Sequence, residues 1–317
     1  MAVAMPKRTR GERKRPAIEL LDITVLAGGP GAERDVSVSS GRAVFDALCR
    51  LGHRVELCDI SPNDLSALDR PADFVFIALH GEFGEDGALQ AELDARRLPY
   101  SGSGAAASRL AMNKVETKRR FEQVGVPTPP YELHESMASP ILSRLQLPVI
   151  VKPVSSGSSV DIQIARTPEA LEKVLGDVIA RYGKALVEQY IAGRELTVGI
   201  LGEEALPVCE IRTKREFYDY QAKYIDDDTQ YLFNPELPSD LLAKVQRLSL
   251  EAHRALGCRV FSRVDCIVDA ATQEPYFLEV NTIPGFTSHS LVPKAAARIG
   301  LTFDGLCQRI IELSLAR

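Results

Sequence analysis

Tyr276-Phe277-Leu278-Glu279-Val280-Asn281-Thr282-Ile283-Pro284-Gly285 decides how this chain is read, together with Ser262-Arg263-Val264-Asp265-Cys266 just upstream. Phe261, Val264 and Ile267 are apolar in the first half and Phe277, Leu278 and Val280 in the second, with Thr272-Gln273 between them. Such a pattern predicts two strands joined by a turn. Glu279 and Asn281 are two residues apart and share one strand face. Pairing of the strands brings Asp265 to the same patch. Two carboxylates and an amide oxygen suit a hard ion such as Mg²⁺, which binds through one or two carboxylates plus substrate phosphates. Arg263 lies on the face of Asp265 and places a fork of donors beside that metal. This is chemistry for moving a phosphoryl group. Taken alone, the same pattern also fits a surface hairpin with its charges in water, so the rest of the chain must decide.

The chain has 317 residues, enough for two or three domains around a cleft. Its 45% hydrophobic and 26% charged residues are those of an ordinary globular protein. A net charge of −5 gives no reason to expect nucleic acid or an anionic membrane as partner. No apolar run reaches the roughly 18 residues that a bilayer span needs. Cys49, Cys58, Cys209, Cys258, Cys266 and Cys307 show no CxxC spacing and read as free thiols in a reducing cytosol. Residues 1–17 stand apart: Lys7, Arg8, Arg10, Arg13, Lys14 and Arg15 are opposed only by Glu12. They lack the apolar core of a secretory signal and read as a disordered basic tail.

From Glu19 the chain alternates strand and helix. A strand to Leu26 is broken by Ala27-Gly28-Gly29-Pro30-Gly31; Ala32-Glu33-Arg34-Asp35-Val36-Ser37 follows, then a helix from about Gly41 to Leu51. Arg54–Ile60 and Asp73–Leu79 read as further strands, the latter ending in His80-Gly81-Glu82-Phe83-Gly84-Glu85-Asp86-Gly87 before a helix to Arg97. That order implies a parallel sheet with functional loops, here those of Glu33 and His80, at the strands' carboxyl ends. The glycines lack the G-x-G-x-x-G spacing of a dinucleotide site.

A new unit opens after Ser101-Gly102-Ser103-Gly104, with a helix from Met112 to Val124. The strand Leu147–Val151 delivers Lys152-Pro153 and then Val154-Ser155-Ser156-Gly157-Ser158-Ser159, before a strand over Val160–Ile164. A small, hydroxyl-rich tip offers N–H and O–H donors to phosphate oxygens, with Lys152 and Lys114 close by. After a helix from Pro168 to Tyr182 comes Ala185-Leu186-Val187-Glu188-Gln189-Tyr190-Ile191, an acidic residue inside an apolar strand, as an adenine ring and its amino group require. Phe217-Tyr218-Asp219-Tyr220-Gln221-Ala222-Lys223-Tyr224 is too polar for core and too irregular for a helix, and reads as a flap over a site. Helices over Ser239–Leu256 and Phe303–Leu315 complete the pattern.

In this order, Gly28-Gly29…Glu33-Arg34-Asp35-Val36-Ser37, Ala78-Leu79-His80-Gly81…Gly84-Glu85-Asp86-Gly87, Val151-Lys152-Pro153…Gly157-Ser158-Ser159, Phe217-Tyr218-Asp219-Tyr220…Lys223-Tyr224 and Glu279-Val280-Asn281…Pro284-Gly285-Phe286-Thr287-Ser288-His289-Ser290 resemble the D-alanine–D-alanine ligases of the ATP-grasp superfamily. The resemblance runs from about Asp22 to the C-terminus. It implies an α/β protein, α+β in the ATP-binding part: an ATP-grasp fold with an N-terminal Rossmann-like parallel-sheet domain. The units expected are a tail over 1–17, a substrate domain over 18–103, a central lid over 104–190 and a catalytic domain over 191–317.

The resemblance also implies roles. One D-alanine carboxylate attacks the γ-phosphate of ATP, and the amine of a second D-alanine captures the resulting acyl phosphate, for bacterial cell-wall precursor synthesis in the cytoplasm. Asp265, Glu279 and Asn281 would hold two Mg²⁺ ions, Mn²⁺ serving as substitute. Lys114 and Lys152 would bind the α- and β-phosphates, and Glu188, Gln189, Tyr190 and Ile191 with Glu195 the adenosine. Arg263 and the Gly285 N–H would stabilise the tetrahedral oxyanion. Glu33, with His80 nearby, would receive the first ammonium, and Ser290 and Leu291 the second carboxylate. Glu33, Ser158 and Tyr224 would link to close the flap carrying Lys223. A tyrosine at Tyr224 argues for an amine rather than a hydroxy-acid nucleophile. A homodimer and a monovalent-cation site such as one for K⁺ are further implications. Alternatives are an ATP-grasp ligase joining another amino-acid or hydroxy-acid pair, and a nucleotide-binding protein without catalysis.

One departure bears on ATP. The family usually places glycine where Asp161 stands. On a strand, Asp161 would share a face with Ser159 and Gln163. A carboxylate about 4 Å from a phosphate charge would be repelled by about 1 kcal/mol in water and roughly 4 at a lower effective dielectric. The expectation is that Asp161 points outward or pairs with a lysine, and weakens ATP binding modestly. Ser156, in the same loop, reads as neutral.

Overall fold

The computed structural model describes residues 20–31, 33–137, 142–155, 157, 161–214, 229–233 and 235–316. The amino-terminal part forms the expected parallel sheet. β1 (Asp22–Gly28) lies between β2 (Arg54–Ile60) and β3 (Phe74–Ile77), with Val25 opposite Leu57 and Phe76. Helix α1 runs from Arg34 to Arg50, one and a half turns or more ahead of the expected start at Gly41. Gly41 is a packing residue rather than a boundary: a Cβ there would lie 2.4 Å from that of Ala27, so the helix can seat on β1 only without one. Helix α2 (Ala88–Arg96) follows.

Two helices then pack away from this sheet. The Ala-rich α3 (Ala105–Met112) stops where Asn113 caps α4 (Lys114–Val124), accepting from the N–H groups of Val115 and Glu116. The sequence shows only the second of these helices.

The central sheet is antiparallel, in the order β4 (Tyr131–His134), β7 (Ala185–Gln189), β5 (Val149–Pro153), β6 (Gln163–Ala165). Its Val149, Val151, Ala165, Ala185 and Val187 pack on Leu171, Val174, Leu175 and Val178 of α5 (Pro168–Tyr182). Asp161 lies in the turn before β6, with a left-handed φ of 57°.

A six-stranded antiparallel sheet closes the molecule. Its path is β11 (Gln230–Leu232), β10 (Cys209–Arg212), β8 (Gly193–Leu201), β12 (Phe261–Asp269), β13 (Pro275–Asn281), with β9 (Glu204–Ala205) beside β8. Helix α6 (Ser239–Ala255) turns Leu241, Val245, Leu248 and Ala252 onto one face of it, and α3 and α4 add Ala107, Ala111 and Phe121 to the same core. Each such aliphatic side chain contributes about 1.5–3 kcal/mol by leaving water. Helices α7 (Leu291–Arg298) and α8 (Phe303–Leu315) join this part to the parallel sheet: Ile23, Val25, Val44 and Phe76 share a core with Ala295, Leu306 and Ile310. Pro293 sits in the first turn of α7, where its missing N–H costs nothing. Among the described residues no helix is long and apolar enough to cross a membrane.

Candidate active site

On the six-stranded sheet, Val264, Cys266 and Val268 of β12 face the core with Leu196, Val198 and Ile200 of β8. Their alternates Arg263 and Asp265, and Glu195 and Thr197, therefore share the opposite face. The register sets Asp265 between Thr197 and Glu279, and Arg263 between Gly199 and Asn281. Beyond Asp265 the β12–β13 ladder shifts: Cys266 pairs with Phe277, so Leu278 is the extra residue of a bulge. This bulge lets Phe277 and Val280, an odd number apart, both enter the core.

Arg263 grips the Asp265 carboxylate with Nε at 2.9 Å and Nη2 at 2.7 Å, and the Thr197 hydroxyl donates to it at 2.6 Å. The Ile283 N–H donates to Asn281 Oδ1. Asp265, Glu279 and Asn281 thus make an all-oxygen donor set, which fits a hard divalent ion. Among the described residues no three His, Cys, Asp or Glu side chains form a metal cage. Oxygens of a bound phosphate would have to complete the coordination shell.

The face of the central sheet turned away from α5 carries Ile150, Lys152, Leu186 and Glu188. Lys152 Nζ donates to Glu188 Oε2 at 2.6 Å, and Lys118 Nζ of α4 stands 3.0 Å from Oε1. All three side chains are buried. Burial pushes the Glu188 carboxyl up, but the two ammonium groups outweigh it and hold it at about 2. The Lys118 ammonium is pushed down to about 8 by burial. Glu188, placed by its sequence beside an adenine, is thus first of all an ion-pair partner. Gln189 fixes the neighbouring loop through Gln146 and the Pro148 carbonyl, and Tyr190 donates its N–H to the same carbonyl. Glu195 lies on the face of Thr197 and Asp265, opposite Ile267. Lys114 begins α4, and its N–H donates to the Val154 carbonyl at 3.0 Å, which sets the helix start against the phosphate loop.

The Asp161 carboxylate takes the Tyr182 hydroxyl at 2.5 Å and Arg181 Nη1 at 2.7 Å. It points outward as expected, but its partners are an arginine and a tyrosine rather than a lysine, and it sits on a turn rather than a strand.

Glu33 lies at the start of α1, where a Cβ on Gly81 would meet its Oε2 at 2.5 Å and one on Gly157 at 3.4 Å. The parallel sheet thereby reaches the phosphate loop. His80 is only 4% exposed: Nδ1 donates to the Ile283 carbonyl at 2.9 Å and Nε2 accepts from the Ser40 hydroxyl at 2.9 Å. Its ring holds two parts of the chain together. Ser40 Oγ also accepts the Phe286 N–H at 3.1 Å. The Phe286 ring stacks among Phe76, Phe261 and Phe303, with centroids 5.4–5.8 Å away. These contacts hold the segment that carries Gly285. A Cβ on Gly285 would lie 3.1 Å from Ser290 Oγ, so Gly285, Ser290 and Leu291 meet at the N-terminus of α7.

Ser158, the tail over 1–17 and the flap with Lys223 and Tyr224 lie outside the described residues. Sequence reading passed over Thr197, Ser40 and Lys118. Thr197 and Ser40 carried no signal beyond being hydroxyls. Lys118 did: it stands four residues after Lys114, hence on the same helix face.

Two family models match the chain, D-ala D-ala ligase C-terminus over residues 121–312 and D-ala D-ala ligase N-terminus over residues 62–103. The D-alanine–D-alanine ligase of Gloeobacter violaceus is 44% identical over 300 residues, covering 92% of this chain and 99% of that protein. The ligase of Carboxydothermus hydrogenoformans is 39% identical over 307 residues, covering 93% and 98%. The crystal structure of the Bacillus anthracis D-alanine–D-alanine ligase complexed with ATP superimposes with a TM-score of 0.81 at 33% identity, over 93% of this chain and 97% of that one. In sequence and in fold, the chain belongs to the D-alanine–D-alanine ligase family.

Proposed function

We propose that this chain joins two D-alanines to D-alanyl-D-alanine at the cost of ATP, giving ADP and phosphate. The observation that carries the reading is the register that lines up Asp265 with Glu279 and Arg263 with Asn281 on one face. In the first step a carboxylate oxygen of D-alanine forms a bond to the γ-phosphorus, and the bond to ADP breaks. In the second, the neutral amine of another D-alanine attacks the acyl carbon, and phosphate leaves with its oxygen and the proton that the nitrogen gives up.

Most of the catalysis in such transfers is positioning and charge stabilisation. Mg²⁺, or Mn²⁺ in its place, held by Asp265, Glu279 and Asn281 would neutralise charge on the phosphates. Lys114 and Lys152 contribute cations on the side of the central sheet. Arg263, oriented by its grip on Asp265, presents its guanidinium edge beside the reacting centre, and the Gly285 N–H faces the developing oxyanion. Glu33 takes the ammonium of the first D-alanine, and Ser290 with the N-terminal N–H groups of α7 takes the carboxylate of the second. His80, near that ammonium, also fixes Ile283. Ser158, Tyr224 and Lys223, outside the described residues, would by the resemblance link to Glu33 and complete the nucleotide site. Exclusion of water matters because acyl phosphates hydrolyse.

The deciding assay is ADP release from ATP and Mg²⁺ with and without D-alanine, followed by product analysis. Turnover that requires D-alanine and yields the dipeptide is the expected result. Turnover driven equally by L-amino acids or D-lactate, or none, would reject the assignment.

A further inference from the structure

Lys118 is the one member of the buried lysine–glutamate–lysine cluster to which the ligase reaction gives no task. Its side chain is fully buried, and its ammonium donates to Thr128 Oγ1 at 2.6 Å and to the Pro129 carbonyl at 3.3 Å. Both acceptors lie in the connection between α4 and β4. Thr128 in turn donates to the Phe277 carbonyl at 2.8 Å, and the Phe277 N–H donates to the Pro127 carbonyl at 2.8 Å. Lys118 is therefore anchored to the six-stranded sheet, whereas Glu188 and Lys152 belong to the central one.

Glu188 Oε1 has the Lys118 ammonium at 3.0 Å and is otherwise without a donor. Two of the three Lys118 N–H groups go to Thr128 and Pro129, so at most one is left for Glu188. An accepting lone pair of Glu188 is thus left for another donor, such as the exocyclic amino group of a purine. Lys152 is bound to the other oxygen, Oε2. A lysine drawn to a phosphate loosens its hold on that oxygen, and a buried carboxylate cannot be left without a counter-charge.

We propose that Lys118 is the positioning residue that keeps Glu188 ionised and aimed at the adenine amino group when Lys152 transfers to the nucleotide phosphates. This rests on the ATP-dependent reading above. One ammonium stays and one leaves, so a single carboxylate serves the base while its former partner serves the phosphates. Without Lys118, Glu188 would hold Lys152 back, and affinity for the phosphates would fall. Adenosine, which makes no claim on Lys152, would bind much as before.

The test is calorimetric titration of full-length protein with Mg·ADP and with adenosine, for wild type, Lys118→Met and the double variant Lys118→Met/Glu188→Gln. Thermal melts accompany the titrations, together with the Michaelis constant for ATP. Expected is a loss of tenfold or more in Mg·ADP affinity for Lys118→Met, with adenosine affinity within about threefold of wild type. Removing the Glu188 charge as well should return part of the Mg·ADP affinity, because nothing then retains Lys152. Equal losses for both ligands, or no recovery in the double variant, would overturn the proposal and leave Lys118 a structural ion pair. Wild type that binds Mg·ADP and turns over with D-alanine while Lys118→Met matches it sinks this inference alone. Wild type that binds no nucleotide sinks both it and the proposed function.

Discussion

Asp265 and Glu279 stand opposite each other across β12 and β13, at the last paired position before the ladder shifts at Leu278. Like charges directly across an antiparallel pair destabilise it, by roughly 0.2–1 kcal/mol. Arg263 and Thr197 stabilise Asp265, and on the proposed reading a divalent ion would offset what remains. Glu279→Gln keeps the shape and removes one charge. In buffer containing EDTA it should be as stable as wild type or more stable, by up to about 1 kcal/mol. Its D-alanine-dependent turnover should fall at least a hundredfold, on the scale of losing one electrostatic stabiliser. Melting without metal and ADP release with Mg²⁺ check both halves. Undiminished turnover would remove Glu279 from the metal site.

Ser40 is expected to act on the reaction without touching substrate. Its hydroxyl donates to His80 and accepts from the Phe286 N–H, next to Gly285. Ser40→Ala leaves a buried N–H and a buried ring nitrogen unpaired, at about 1–3 kcal/mol each. With the oxyanion-side segment loosened, turnover should drop roughly tenfold or more. The Michaelis constant for ATP should stay close to wild type, since Lys152 and Glu188 lie on the other sheet. A change confined to that constant would contradict this account.

Much of the site was legible because its residues are strand neighbours. The two-residue spacing of Glu279 and Asn281 gives their shared face, and hairpin pairing gives Asp265 across from them. The bulge was not legible, because Leu278 is as apolar as its neighbours and only the paired ladder reveals it as the extra residue. The clamp on His80 was not legible either, since glycine and acidic neighbours look the same whether a ring points out or is held between Ser40 and the Ile283 carbonyl. Gly41 misled too, because a glycine admitting close packing looks like an end. Helix α3 went unread because Met112 and Asn113 run straight on into the next helix. Lys118 shares a helix face with Lys114, but its partner Glu188 lies 70 residues on, in the central sheet, so the spacing alone does not reveal the pair.

Asp161 corrects an expectation with energetic content. Repulsion of ATP phosphates was expected to weaken binding, but the carboxylate is turned to Tyr182 and Arg181, and the Tyr182 hydroxyl and then Arg181 hold its pKa below the usual range. Asp161→Gly relieves a left-handed φ of 57°, worth about 1 kcal/mol. It also frees the unfolded chain, by about 0.4–1 kcal/mol, and loses an exposed ion pair worth about 0–1. The terms nearly cancel. Stability should stay within about 1 kcal/mol of wild type, and the Michaelis constant for ATP within about twofold. A severalfold fall in that constant would restore the repulsion idea.

His253 gives the fold a specific acid sensitivity. It is buried on α6, with Nδ1 2.7 Å from Ser262 Oγ, and burial pushes it from 6.5 down to about 4, with Arg254 adding to the effect and Glu203 opposing it. Above about pH 6.5 the ring is neutral in both folded and unfolded chains, and its contribution is complete. As pH falls from 6.5 towards 4, the unfolded chain takes up a proton that the folded one refuses. Stability is lost through that window, by about 3 kcal/mol in all. His253→Gln removes the titration and keeps a side chain able to meet Ser262. The variant starts less stable at pH 7.5, but its urea midpoint should fall less than that of wild type between pH 7 and pH 4.5. The difference amounts to about 2–3 kcal/mol of unfolding free energy. Parallel pH profiles for the two proteins would show that the folded chain lets His253 take up its proton as readily as the unfolded one, and would remove the burial penalty from this account.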